Sequence, residues 1–137
     1  MEYFIDTNLI LDAFERKNID AQNKLKDILE DSENEIFYNG LVYTEALRAV
    51  LDEELFSKLK SSFELFTWID ITQDIYKDTK KFSRYCRSND IKVAKRKCEL
   101  IDMLHFMTAK YYNLELITLD ADFEKLEKAY LSFMEDS

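Results

Sequence analysis

Twenty-eight of the 137 residues are Asp or Glu, so an acidic residue is informative only where it closes a strand or stands among apolar neighbours. Five do. Asp6 follows Tyr3-Phe4-Ile5, and Asp120 and Asp122 follow Leu116-Ile117-Thr118-Leu119. Asp102 stands inside Leu100-Ile101-Asp102-Met103-Leu104, and Glu45 precedes Ala46-Leu47 on a helical run behind an apolar strand. Taken singly, helix capping or a solvated helix face accounts for Asp6, Glu45, Asp120 and Asp122. Asp102 is harder to explain that way, because a carboxylate buried among Leu, Ile and Met costs several kcal/mol unless something compensates it. If such acids converge, their mutual repulsion opposes ionisation, and a hard divalent cation removes that cost. Carboxylates with few histidines or thiolates suit Mg²⁺ or Mn²⁺. A cation so held activates water and neutralises phosphate charge, which is the chemistry of phosphodiester hydrolysis.

Composition excludes the competing chemistries. The single glycine rules out phosphate cradles built on several glycines. One histidine excludes zinc sites with paired histidines, and Cys86 and Cys98 cannot form a four-thiolate site. At 137 residues, with 47% apolar residues, the chain reads as a single domain over 1–137 with ample core. No apolar run reaches a membrane span, no secretory leader is legible, and two cysteines without a framework suit a reducing cytoplasm.

The elements that must position these acids follow from periodicity. Residues 2–5 read as a short buried strand ending at Asp6, with Thr7 and Asn8 offering an N-cap to a helix carrying Leu9, Ile10, Ala13 and Phe14. A helix follows over 20–31. Ile36-Phe37-Tyr38 is a second strand closed by Asn39-Gly40, then a helix runs from about Val42 to Val50 and another over 52–60. Phe66 to Ile71 reads as a third strand, Ile75, Thr79, Phe82 and Cys86 as a helix stripe, and Leu100 to Tyr112 as an apolar helix. Leu116 to Leu119 is a fourth strand before a final helix from Phe123. Short apolar strands alternating with helices give an α/β fold: a parallel sheet of four to five short strands flanked by helices in a Rossmann-like three-layer arrangement. Sites in such sheets lie at the carboxyl ends of strands, near the switch in strand order.

Charge is uneven. The net value is −9, yet residues 77–97 hold nine Lys/Arg against Asp78 and Asp90, while residues 99–137 are strongly acidic. Lys77, Lys80, Lys81, Arg84 and Arg87, followed by Lys95, Arg96 and Lys97, are the candidates for an RNA backbone contact; a solvated face is the plainer reading. His105, one helical turn beyond Asp102, reads as a packed core residue rather than a catalytic acid. Phe4, Phe37, Trp68, Phe82 and Phe106 read as core, and both cysteines as inert thiols.

The ordered set Phe4-Ile5-Asp6-Thr7-Asn8, Thr44-Glu45-Ala46-Leu47, Ile101-Asp102-Met103-Leu104 and Ile117-Thr118-Leu119-Asp120-Ala121-Asp122-Phe123 resembles the PIN-domain family. More narrowly, it resembles the VapC-like ribonuclease toxins of toxin–antitoxin pairs. The resemblance implies a metal-dependent endoribonuclease in which Asp6, Glu45, Asp102 and Asp120 hold one or two Mg²⁺ or Mn²⁺ ions. It makes Asp122 a fifth acid and Thr7 and Thr118 supporting hydrogen-bond donors. It also implies an RNA substrate (transfer RNA among the candidates), a cognate antitoxin protein, a homodimer and no membrane. The alternative is a catalytically degenerate PIN domain that binds protein or RNA. An aspartyl phosphatase built on Asp6 and Asp70 lacks its second Asp, since Asn8 stands there.

Overall fold

The computed structural model describes residues 1–93 and 99–137. The chain divides into two compact units, Met1–Asp70 with Leu114–Leu119, and Ile71–Asn113 with Asp120–Ser137.

Short runs of aromatic and β-branched residues build the sheet of the first unit. They form β1 (Glu2–Ile5), β2 (Glu35–Tyr38), β3 (Thr67–Trp68) and β4 (Glu115–Ile117). All pairings are parallel, in the order β3-β2-β1-β4. Four strands are present among the described residues, the lower end of the range read from sequence. The chain steps outward from β1 to β2 and β3, then returns to the other side of β1 as β4. The order therefore reverses at the β1/β4 pair, where ligand sites form in such sheets. Phe4 pairs with Phe37 on one side and with Leu116 on the other.

Four helices belong to this unit: α1 (Thr7–Phe14), α2 (Ile19–Leu29), α3 (Gly40–Ala49) and α4 (Glu53–Leu65). Phe4, Ile5, Leu9, Ile10, Val42 and Phe63 are buried and form its core. Each of α2, α3 and α4 is capped by a side chain on its first-turn N–H groups: Asn18 for Ala21, Asn39 for Val42 and Asp52 for Leu55. The N-cap of α1 is Asp6, with Thr7 already helical, so the expected Thr7 or Asn8 cap is shifted by a residue or two. Two further sequence expectations are corrected. Strand β3 has two residues rather than the six of Phe66–Ile71, and α4 extends to Leu65 rather than Lys60. Trp68 is 49% exposed, not core, because β3 is the sheet edge and has no strand outside it. Its ring instead stands edge-on to Tyr38 at 5.5 Å, against Gly40, where a Cβ would meet the indole at 3.0 Å.

The second unit is helical: α5 (Gln73–Ser88), α6 (Glu99–Tyr111) and α7 (Asp122–Glu135). The stripe read from sequence, Ile75, Thr79, Phe82 and Cys86, is the buried set of α5. Phe82, Phe106 and Tyr130 bring one aromatic from each helix together, with centroids 5.5–6.1 Å apart. In α6 every residue from Asp102 to Ala109 is buried, as for a helix enclosed on all sides. His105 lies in that run, as expected of a packed histidine. Burial first, then the charge of Glu99, pushes the Cys86 thiol up to about 11, which makes it inert at neutral pH. Lys95, Arg96, Lys97 and Cys98 lie outside the described residues. No helix among the described residues is long and apolar enough to cross a membrane.

Candidate functional site

Strand β1 runs apolar to its end and delivers Asp6 at the first position where the chain leaves the sheet. Asp6 is 2% exposed. Although it is the N-cap residue of α1, its side chain makes no capping hydrogen bond. The capping explanation of this buried carboxylate therefore fails. Instead its Oδ2 accepts the Thr118 hydroxyl at 3.0 Å, and its backbone N–H donates to the Ile117 carbonyl at 3.2 Å. Both partners come from the end of β4, so Asp6 is held at the switch in strand order.

Thr7, also buried, donates to Oε1 of Glu45 at 3.1 Å. Glu45 sits half-buried on α3, which starts directly after β2, so it is not the freely solvated helix-face residue that its neighbours allowed. The first unit thus brings Asp6, Thr7, Glu45 and Thr118 together as two hydrogen-bonded carboxylate–threonine pairs on consecutive residues of one turn.

Asp102 lies in the second unit, in the first turn of α6, and is 5% exposed. A helix start favours a carboxylate through the unpaired N–H groups there. Asp120 and Asp122 lie at the head of α7. The Asp120 Oδ1 accepts the Asp122 N–H at 2.9 Å, a local turn bond just ahead of α7, whose N-cap residue is Ala121. Asp122 pairs with Lys125 at 3.3 Å, one turn along. Among the described residues, no three acidic, His or Cys side chains close on a point as a metal cage would. The donors present are carboxylate oxygens oriented by threonine hydroxyls, and that chemistry fits a hard cation such as Mg²⁺ or Mn²⁺ rather than zinc or copper.

Asn39 is a polar residue at this sheet edge that sequence reasoning took only as the close of a strand. Two residues beyond the Phe4–Phe37 pair, it lies level with Asp6 across the sheet. It is fully buried; Oδ1 accepts the Val42 N–H at 2.9 Å, and Nδ2 has no hydrogen-bond partner among the described residues. Its Asn-Gly dipeptide was the visible signal, and it reads as a turn whether or not the amide has a second role.

A second surface of the first unit is apolar. A groove of about 560 Å³ runs between α1 and α2, lined by Ala13, Phe14, Leu25, Leu29 and, from α4, Leu55.

Comparison with solved structures gives the same fold at low sequence identity. The VapBC2 complex of Rickettsia felis, bound to a DNA fragment from its promoter, matches with a TM-score of 0.69 at 17% identity, over 91% of this chain and 92% of that one. FitAcB of Neisseria gonorrhoeae matches with 0.66 at 19%, over 93% and 94%. A toxin–antitoxin complex of Klebsiella pneumoniae matches with 0.62 at 23%, over 88% and 89%. No curated protein sequence matches the chain. The PIN domain family model matches residues 3–129. That span takes in both units and every strand, and by it the chain belongs to the PIN domain family.

Proposed function

We propose that this chain is a metal-dependent endoribonuclease, the toxin of a toxin–antitoxin pair, in which both units act as one PIN domain. The observation that carries the reading is the Asp6 carboxylate, buried at the β1/β4 switch and held by Thr118 rather than used as a cap. Asp6, Glu45, Asp102 and Asp120, with Asp122 as a fifth acid, would hold one or two Mg²⁺ or Mn²⁺ ions. The bound cation supplies an activated water and charge neutralisation at the scissile phosphate. Thr118 and Thr7 fix the orientation of Asp6 and Glu45, so that these carboxylates need no reorganisation when the ion binds.

The partner reading is a cognate antitoxin, supported by the resemblance and by the toxin–antitoxin complex among the fold's neighbours. Its docking surface would be the apolar α1/α2 groove. A homodimer working in the cytoplasm is part of the same reading.

The test is cleavage of total and transfer RNA by the purified, partner-free protein in Mn²⁺ or Mg²⁺, with EDTA and Asp6→Asn as controls. Discrete fragments that vanish in both controls are expected. No cleavage together with no metal-induced thermal shift would replace the nuclease with a binding module.

A further inference from the structure

Five ion pairs join the described lysines and arginines to carboxylates, at Arg16, Lys26, Lys58, Lys110 and Lys125. None involves Lys80, Arg84 or Arg87, although the chain as a whole carries a net charge of −9. These three cations share one wall of a groove of about 440 Å³ between α5 and α6. Tyr76 stands on the same wall at its N-terminal end, 55% exposed. The facing wall is apolar: Leu104 is buried, and Leu100 is 65% exposed.

The spacing follows from helix geometry. Positions 76, 80, 84 and 87 fall on one face, and Lys80, Arg84 and Arg87 follow one another at about 6 and 4.5 Å along the axis. Lys77 and Lys81, on the same helix, do not line the groove. A row of three cations with no ion-pair partner among the described residues, beside an exposed aromatic ring and an apolar wall, is a selective arrangement. It answers a ligand with regularly spaced anions and flat apolar groups.

We propose that the α5/α6 groove binds single-stranded RNA, with phosphates on Lys80, Arg84 and Arg87 and an unstacked base on the Tyr76 ring. The choice of RNA rests on the nuclease reading above, and the groove deepens it by naming the strand type and the residues that grip it. Guanidinium groups match phosphate oxygens as a planar fork, and base stacking on an aromatic side chain requires an unpaired strand. An acidic protein segment would use the cations but leave Tyr76 without a flat partner. A second copy docked symmetrically would set three cations against three.

The measurement is fluorescence anisotropy of a labelled ten-nucleotide oligouridylate with the full chain in EDTA, so that binding is read without cleavage. Arg84→Gln with Arg87→Gln is expected to weaken binding at least tenfold and to flatten the slope of log affinity against log salt by about 1.4. Lys77→Gln with Lys81→Gln removes the same charge from outside the groove and is expected to cost less than threefold. Tyr76→Ala is expected to weaken binding at least fivefold with the salt slope unchanged. All the substituted side chains are exposed, and circular dichroism checks each fold.

No binding by the unmodified chain, equal losses in the two double variants, or displacement by oligoglutamate as readily as by unlabelled RNA would each overturn the proposal. Binding with this pattern but no cleavage in Mn²⁺ would support the groove and remove the nuclease. Cleavage and binding unchanged in the groove variants would keep the nuclease and remove the groove.

Discussion

The Thr118 hydroxyl donates to Oδ2 of Asp6 at 3.0 Å across 112 positions of sequence. Only the placement of β4 beside β1 makes that contact possible. It gives a buried side chain a hydrogen-bond partner from a distant strand, while the side chain makes no helix-capping bond of the kind its position would suggest. A buried side chain so held, at the switch in strand order and making no capping bond, is the feature on which the metal-ligand proposal for Asp6 rests.

Asp6→Asn keeps the shape and removes the charge. RNA cleavage is expected to fall below detection, and the Mn²⁺-induced rise in Tm to shrink or vanish, with the far-ultraviolet dichroism unchanged. Asp102→Asn should behave in the same way. Full cleavage in both variants would remove these residues from the site.

Thr118→Val withdraws the hydroxyl and leaves Oδ2 of a buried carboxylate short of a donor. The expected cost is about 1–2 kcal/mol of folding stability, with cleavage reduced about tenfold because the carboxylate is no longer oriented. Thr118→Ser restores both. Denaturant unfolding and initial cleavage rates measure the two effects separately, and a Ser variant as impaired as Val would show that the methyl group, not the hydroxyl, matters.

Leu29 is 53% exposed on the rim of the α1/α2 groove. Leu29→Glu is therefore expected to leave Tm within a few degrees while weakening antitoxin retention, since it puts a charge where an apolar side chain would dock. Co-purification with the antitoxin and calorimetric titration read this directly. Undiminished retention would place the partner elsewhere.

Alkaline stability carries a signature of the second unit. Cys86 is pushed up from 9.0 to about 11 by burial, so between those values the folded state keeps a proton that the unfolded chain releases. Stability from this group is full below pH 9 and is lost as pH rises towards 11. The Tyr85 hydroxyl, which donates to Asp136 at 2.6 Å, is raised to about 12, but that bond is solvent-exposed and screened, so Cys86 dominates the loss. Cys86→Ala should flatten the fall in stability between pH 9 and 11 by about one proton. Urea unfolding at stepped pH gives that slope, and an unchanged slope would show that the thiol does not titrate with unfolding.

Much of the fold was legible in the order of residues, because helix and strand periodicities are local. The buried face of α5 follows from Ile75, Thr79, Phe82 and Cys86 alone, and each strand announces itself as a short aromatic or β-branched run. The four motif acids could be picked out as well, since a carboxylate among apolar neighbours is conspicuous wherever the chain goes. Tertiary structure decided what such residues touch. Taken singly, Asp6 could be read as a cap, and only the resemblance made it a metal ligand; the β3-β2-β1-β4 order supplied Thr118 and removed the capping explanation. Trp68 read as core, yet edge position left half of it in solvent. The basic helix offered five candidate cations, and packing against α6 set three of them in one groove with Tyr76. The physical reason is common to all three cases. Local sequence records which face of an element is apolar, whereas hydrogen-bond partners, edge exposure and groove walls depend on which distant element packs beside it.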